Sequence, residues 1–261
     1  GALKDGALII EVHMRHAAPT DDMPALEFYP ENPLCKNILN KFMDEESADV
    51  MFEVSSEQAT DDARGKRLRT STTFHAHRFI LQECSCALGE RCKSVGDSAT
   101  ITITDVKPDI FRHLLYYLYG GKVDDEDLKA NSKDIIDAAD KYGVVGLKLE
   151  AEASFVTSTT ITIDNVMDNL LYADSKNCAL LQEAAMDFAV ENGDEVYEKV
   201  DFDNFPGHLV KDLMAAMNRG KKKIGASGNN NELNTMRISE LRRKLYEKGL
   251  DVDVSRETMI A

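Results

Sequence analysis

Three consecutive patterns between residues 74 and 121 constrain the fold of this chain more than any other feature. Phe74-His75-Ala76-His77-Arg78-Phe79-Ile80-Leu81 reads as a strand that runs directly into a helix. Ala99-Thr100-Ile101-Thr102-Ile103-Thr104-Asp105-Val106 alternates apolar and polar side chains, the period of a short half-buried strand. Pro108 then suits the first turn of a helix, where its missing N–H costs nothing. Ile110, Phe111, Leu114, Leu115 and Leu118 follow as one apolar stripe that ends at Tyr119-Gly120-Gly121. Upstream, Asp49–Val54 alternates at Val50, Phe52 and Val54, which predicts another half-buried strand.

Bulk properties narrow the class. With 261 residues and 43% hydrophobic side chains, the chain can bury a sizeable core. No stretch approaches the roughly 18–20 uninterrupted apolar residues that span a bilayer, so no membrane partner is expected. The opening Gly1–Ile10 is too short and too charge-interrupted for a secretory signal, and a first residue other than methionine suggests a fragment or a processed chain. Five irregularly spaced cysteines argue against a disulfide framework and predict a reducing compartment, cytoplasm or nucleus. The net charge of −15 opposes general nucleic-acid binding, which needs lysine and arginine to displace counterions. The balance is uneven: Arg219–Ala261 holds ten basic and six acidic residues, a surplus of +4 that leaves −19 for the body.

Along the chain, Leu8–Val12 reads as a strand and is followed by a proline-bearing connector through Pro33. Leu34–Met43 predicts an amphipathic helix with Leu34, Ile38, Leu39 and Phe42 on one face. Ser55–Thr73 reads as a long hairpin loop. Helices are expected over Asp134–Tyr142, Leu147–Phe155, Leu180–Val190 and Leu209–Met217, with a further one capped by Asp164. Residues 219–231 are turn-rich and predict a flexible linker before a separate helix over Met236–Glu247.

These motifs, together with Ala48-Asp49-Val50, Tyr119-Gly120-Gly121-Lys122-Val123, Asp140-Lys141-Tyr142 and Leu147-Lys148-Leu149, resemble the BTB/POZ domain of speckle-type POZ (MATH-BTB) adaptors. The resemblance implies an α+β fold, a helical cluster capped by a short β-sheet, followed by an all-α BACK-like region. It divides the chain into a strand and linker over 1–33, similar at Asp5–Val12 to the last strand of a MATH domain; a BTB/POZ domain over 34–155; a BACK-like region over 156–218; a linker over 219–231; and a tail over 232–261. It implies a homodimer whose interface draws on Leu34, Ile38, Leu39, Phe42, Asp49 and Arg78, with Asp49 and Arg78 forming a partly buried charged pocket. An amphipathic first helix independently needs a second apolar surface to cover it. The family further implies a cullin scaffold and a protein substrate as partners, and places the cullin surface at Leu88, Arg91, Cys92, Lys93 and Tyr119. Here the chain departs from the pattern: Arg91-Cys92-Lys93 stands where family adaptors carry a hydrophobic–any–glutamate motif.

The tail Met236–Asp251 resembles the first helix and turn of a SAP motif, with Arg237, Arg242, Arg243 and Lys244 as its basic face, although Val254 stands where glycine is expected. That supplies an alternative reading, a chromatin-associated BTB protein that contacts DNA through its tail.

His75 and His77 with Cys84 and Cys86 carry zinc-type donors. Two cysteines two apart on one predicted helix diverge by about 200°, so no metal is expected. Ser85 and Cys86 lack a glycine elbow or phosphate loop, Asp124–Asp127 reads as a solvated loop capping the next helix, and Lys221–Lys223 as a linker patch. No catalytic residue and no cofactor are expected. The chain reads as a non-enzymatic interaction protein.

Overall fold

A computed structural model describes residues 2–4, 7–9, 33–56, 70–95, 100–199, 205–222, 233 and 236–260. The chain divides into two units, Gly1–Pro33 and Leu34–Ala261. In the first, β1 (Ala2–Lys4) and β2 (Ala7–Ile9) pair antiparallel with Leu3 opposite Leu8. The strand read over Leu8–Val12 thus has a partner within its own chain. Residues 10–12 lie outside the described residues.

In the second unit, β3 (Val50–Ser56) is central to a three-stranded sheet, flanked by β4 (Thr70–Ala76) and β5 (Thr100–Ile103). β4 runs antiparallel to β3, with Phe74 opposite Phe52, and β5 runs parallel, with Ile101 opposite Phe52 and Ile103 opposite Val54. A parallel neighbour needs a crossover. Two helices, α2 (Arg78–Cys84) and α3 (Cys86–Ser94), lie within that connection. The period-two pattern puts Val50, Phe52, Val54, Ile101 and Ile103 on one face, and all five are buried. On that face lies α4 (Pro108–Leu118), whose predicted stripe is wholly buried. Phe111 meets Phe52 and Phe74 at ring-centroid distances of 5.3 Å each, and Tyr142 at 6.1 Å.

Helical hairpins complete the core. α5 (Asp125–Tyr142) takes its acidic first turn from the residues read as a solvated loop, a favourable placement at the positive end of the helix. It stops at Gly143, whose φ of 67° is the left-handed conformation that favours glycine at a helix end. α6 (Val145–Ser158) packs back along it. α7 (Val166–Ser175), α8 (Ala179–Glu191), α9 (Gly193–Lys199) and α10 (Gly207–Lys222) then build a second cluster around Val166, Leu170, Ala185, Ala189, Val196, Leu209 and Leu213. α11 (Ile238–Glu247) and α12 (Arg256–Ile260) form a short hairpin of their own. Among the described residues no helix is long and apolar enough to cross a membrane.

Several expectations need correcting. The first helix, α1 (Pro33–Leu39), is a turn shorter than predicted, and Met43 adopts a φ of 61° where the helix was to end. Cys84 and Cys86 do not share a helix. Ser85 between them is extended, accepts the Leu88 N–H as the α3 cap, and donates its own proton to the Tyr142 carbonyl at 2.6 Å. Asn165, not Asp164, precedes α7; its side-chain oxygen accepts the Thr162 N–H at 2.9 Å. α10 continues to Lys222, into the range expected to be linker, and residues 223–231 lie outside the described residues.

Candidate interaction surfaces

The predicted dimer residues fall into two groups. On α1, Leu34 is 58% exposed, whereas Ile38, Leu39 and the following Phe42 are half-buried against the core of their own chain. Phe42 sits edge-on to Tyr116 and Tyr119, at 5.2 and 5.7 Å. The second group, Asp49 and Arg78, ties main chain together. The Asp49 carboxylate accepts the Arg78 N–H at 2.7 Å, at the start of α2 where helical donors lack partners. The Arg78 guanidinium donates to the carbonyls of Asp49, Cys92 and Val95, joining the entry of β3 to the end of α3. Sequence reasoning missed Phe79, which is 72% exposed on α2 beside exposed Gln82 and Glu83. An aromatic ring one turn from polar residues on a short helix was the available signal.

The predicted cullin surface is only partly a surface. Leu88, Cys92 and Tyr119 are core side chains, at 0, 0 and 1% exposure, and offer nothing to a partner. Leu88 and Cys92 are one turn apart on the inward side of α3, and Tyr119 is held by a polar chain. Arg91 is half-buried with its guanidinium 5.5 Å from the centre of the Tyr142 ring, and Lys93 is exposed and ion-paired with Glu90 at 2.8 Å.

The Tyr119 chain assigns its own protons. Tyr119 Oη accepts the His77 backbone N–H and lies 2.8 Å from His77 Nδ1. His77 Nε2 lies 2.9 Å from Ser47 Oγ, and Ser47 donates to Asp44 at 2.7 Å. Serine has one proton and a carboxylate only accepts, so His77 Nε2–H donates to Ser47, and the Tyr119 hydroxyl makes the contact with Nδ1. Burial pushes the Tyr119 hydroxyl up to about 12, which keeps it protonated. Hydrogen bonds from Lys41 and Ser47 hold the Asp44 carboxyl down at about 2.

The tail departs furthest from expectation. Arg237 is ion-paired with Asp187 and Glu183 on α8. Arg242 is 12% exposed and donates to Glu152 at 2.7 Å and to the Val252 carbonyl at 3.2 Å. Of the four predicted nucleic-acid contacts, Arg243 and Lys244 are exposed, Arg237 is exposed but ion-paired to the body, and Arg242 is turned inward. The hairpin is seated on the helical body, with Ile238, Leu241 and Met259 buried around Ala179. Three further ion pairs were not foreseen. Arg256 meets Glu183 at 3.0 Å, and buried Lys148 meets both Asp140 and Asp253 at 2.8 Å. Burial alone would lower the Lys148 ammonium, but those two carboxylates offset it and hold the group above the ordinary lysine value. Lys148 and Glu152 stand four apart within an apolar helical stripe, a spacing that marks one face.

An open cavity of about 340 Å³ is lined by Phe42, Tyr116 and Val123 with Arg112, His113, Lys122, Asp124 and Asp127. Among the described residues no group of three or more His, Cys, Asp or Glu is arranged to hold a metal ion.

Comparison with known proteins places this geometry. Residues 39–159 match the family profile of the BTB/POZ domain. A BTB/POZ and MATH domain-containing protein 4 from Arabidopsis thaliana is 26% identical over 247 residues, covering 87% of this chain and 50% of that protein. A TD and POZ domain-containing protein 1-like from Mus musculus is 30% identical over 128 residues, covering 48% of this chain and 34% of that protein. The chain spans half or less of the length of these relatives. The profile, both relatives and the small sheet packed on helices agree: this chain contains a BTB/POZ domain, an interaction module that binds other proteins.

Proposed function

We propose that the chain is a non-enzymatic adaptor that homodimerises through its BTB/POZ domain and brings a protein substrate to a cullin-RING ubiquitin ligase. The observation that carries the dimer is the exposure of two large apolar side chains, Leu34 on α1 and Phe79 on α2, at 58 and 72%. Covering each is worth about 1.5–3 kcal/mol, and a two-fold interface uses each of them twice. In this reading residues 34–155 are the BTB domain, 156–218 a BACK-like region that presents a partner surface, and Asp5–Val12 the end of a MATH domain that collects substrate. The Arabidopsis relative, named for both domains, supports that arrangement. Five cysteines, all free thiols, suit the cytoplasm or nucleus.

The cullin face is the outer side of α3, around Glu90, Arg91 and Lys93. Because Arg91 and Lys93 replace the family's hydrophobic and acidic positions, capture is weak in the native chain. The test is co-purification of the full chain with a cullin N-terminal domain. Capture that strengthens in the Arg91→Leu/Lys93→Glu variant supports the reading; capture by neither form overturns the ligase arm. The alternative, DNA contact through a SAP-like tail, has less behind it, since Arg237 and Arg242 already serve carboxylates of the body and the chain carries −15 overall.

A further inference from the structure

The seat beneath the C-terminal hairpin has the construction of a receptor site. Glu152 on α6 is wholly buried, and one of its two oxygens is held by the body itself. Its Oε1 accepts the N–H groups of Leu180 and Leu181 in the first turn of α8, at 2.7 and 3.1 Å. These are donors that a helix start leaves without intrahelical partners, and the anion sits at the positive end of the helix. Glu152 therefore caps α8 from a neighbouring helix, and its other oxygen, Oε2, is aimed outward at Arg242. One turn further along α8, Glu183 accepts the Ile238 N–H and pairs with Arg256 and Arg237, and Asp187 takes the rest of Arg237. Between these carboxylates, Ala179 and Leu180 form an apolar floor for Ile238 and Leu241. The body supplies acids, a floor and the Lys148 ammonium; the tail supplies arginines, aliphatic side chains and Asp253, which accepts from Lys148 at 2.8 Å.

We propose that α6 and α8 form a docking seat for an arginine-bearing helix, and that residues 236–260 are an intramolecular ligand occupying it reversibly. This goes beyond the adaptor reading and does not depend on a dimer or a cullin. The kind of partner that fits is set by the occupant: an arginine, an apolar residue directly after it, a second apolar residue three positions later, and an arginine immediately following, as in Arg237, Ile238, Leu241 and Arg242. A tethered tail acts at an effective concentration near the millimolar range, so an outside helix of this kind displaces it only by binding well or by being abundant. While the tail is seated, Arg242 and Arg256 are withdrawn from any acidic partner, and Arg237, still exposed, is ion-paired with Glu183 and Asp187.

The test uses the full chain with a specific protease site placed within residues 225–231, cut after purification. The tail fragment is expected to co-elute with the body. Synthetic peptide 232–261, labelled with a fluorophore, is then expected to exchange into the seat. The Arg242→Gln peptide should compete at least tenfold less well, and the Arg243→Gln peptide, changed on the outward face, as well as the native sequence. Loss of the tail on cutting overturns the docking. Failure of the native peptide to exchange shows an integral part of the fold and overturns reversibility. Equal competition by the Arg242→Gln peptide overturns recognition through the arginine.

Discussion

The Glu152 carboxylate joins two parts of the chain at once: one oxygen holds the first turn of α8, and the other accepts the Arg242 guanidinium of the tail at 2.7 Å. The partners are 90 positions apart, and Glu152 is fully buried. Removing the guanidinium leaves that anion short of a partner, so Arg242→Met is expected to cost about 3–5 kcal/mol. Urea denaturation measures it. Adding Glu152→Gln in the Arg242→Met background should recover part of the loss, because the pair is coupled and the charge then disappears with its partner.

Lys148 gives a pH prediction. Its folded value is raised above the ordinary 10.5, so its contribution is fully present below that value and lost as pH rises through the higher folded one. Lys148→Met should destabilise by about 3 kcal/mol at pH 7, since it strands Asp140 and Asp253. The gap between variant and native melting curves should stay constant up to about pH 10 and narrow only in stronger alkali.

Thiol chemistry separates the cysteines. Burial pushes Cys178 up to about 12 and raises Cys92, and also Cys84 with Glu83 beside it, above the ordinary thiol value; Cys35, Cys84 and Cys86 are exposed. Iodoacetamide at pH 8 should modify those three in the native chain and reach Cys92 and Cys178 only after unfolding. Peptide mass mapping reads the result.

Tyr119 is expected to matter through its hydroxyl more than its ring. Tyr119→Phe leaves the packing in place and deprives both the His77 N–H and Nδ1 of a partner. The expected cost is about 1–3 kcal/mol by urea denaturation, with no loss of α-helical signal.

How far the fold could be read beforehand depended on the range of the interactions. Val50, Phe52, Val54 and the Ile110–Leu118 stripe announce their faces through local periodicity, and all are buried as that period requires. Ser85 breaks α2 from α3 through a hydrogen bond to the Tyr142 carbonyl, 57 positions away, which no local pattern encodes. Resemblance puts Leu88, Cys92 and Tyr119 on a surface because it fixes position along a chain and not the direction of a side chain. The seated tail was illegible for a related reason. Arg237 and Arg242 look like a basic face until the acids of α6 and α8 are brought beside them by the fold.

In the proposed dimer, two copies of the BTB/POZ domain share an apolar seam that includes Leu34 and Phe79. Multi-angle light scattering of the full chain at micromolar concentration tests it most directly. A mass near twice the 29.0 kDa chain is predicted, falling to a single chain in the Leu34→Asp/Phe79→Asp variant with its circular dichroism intact. A native protein that runs as one chain at that concentration, or a double variant that still pairs, contradicts the account.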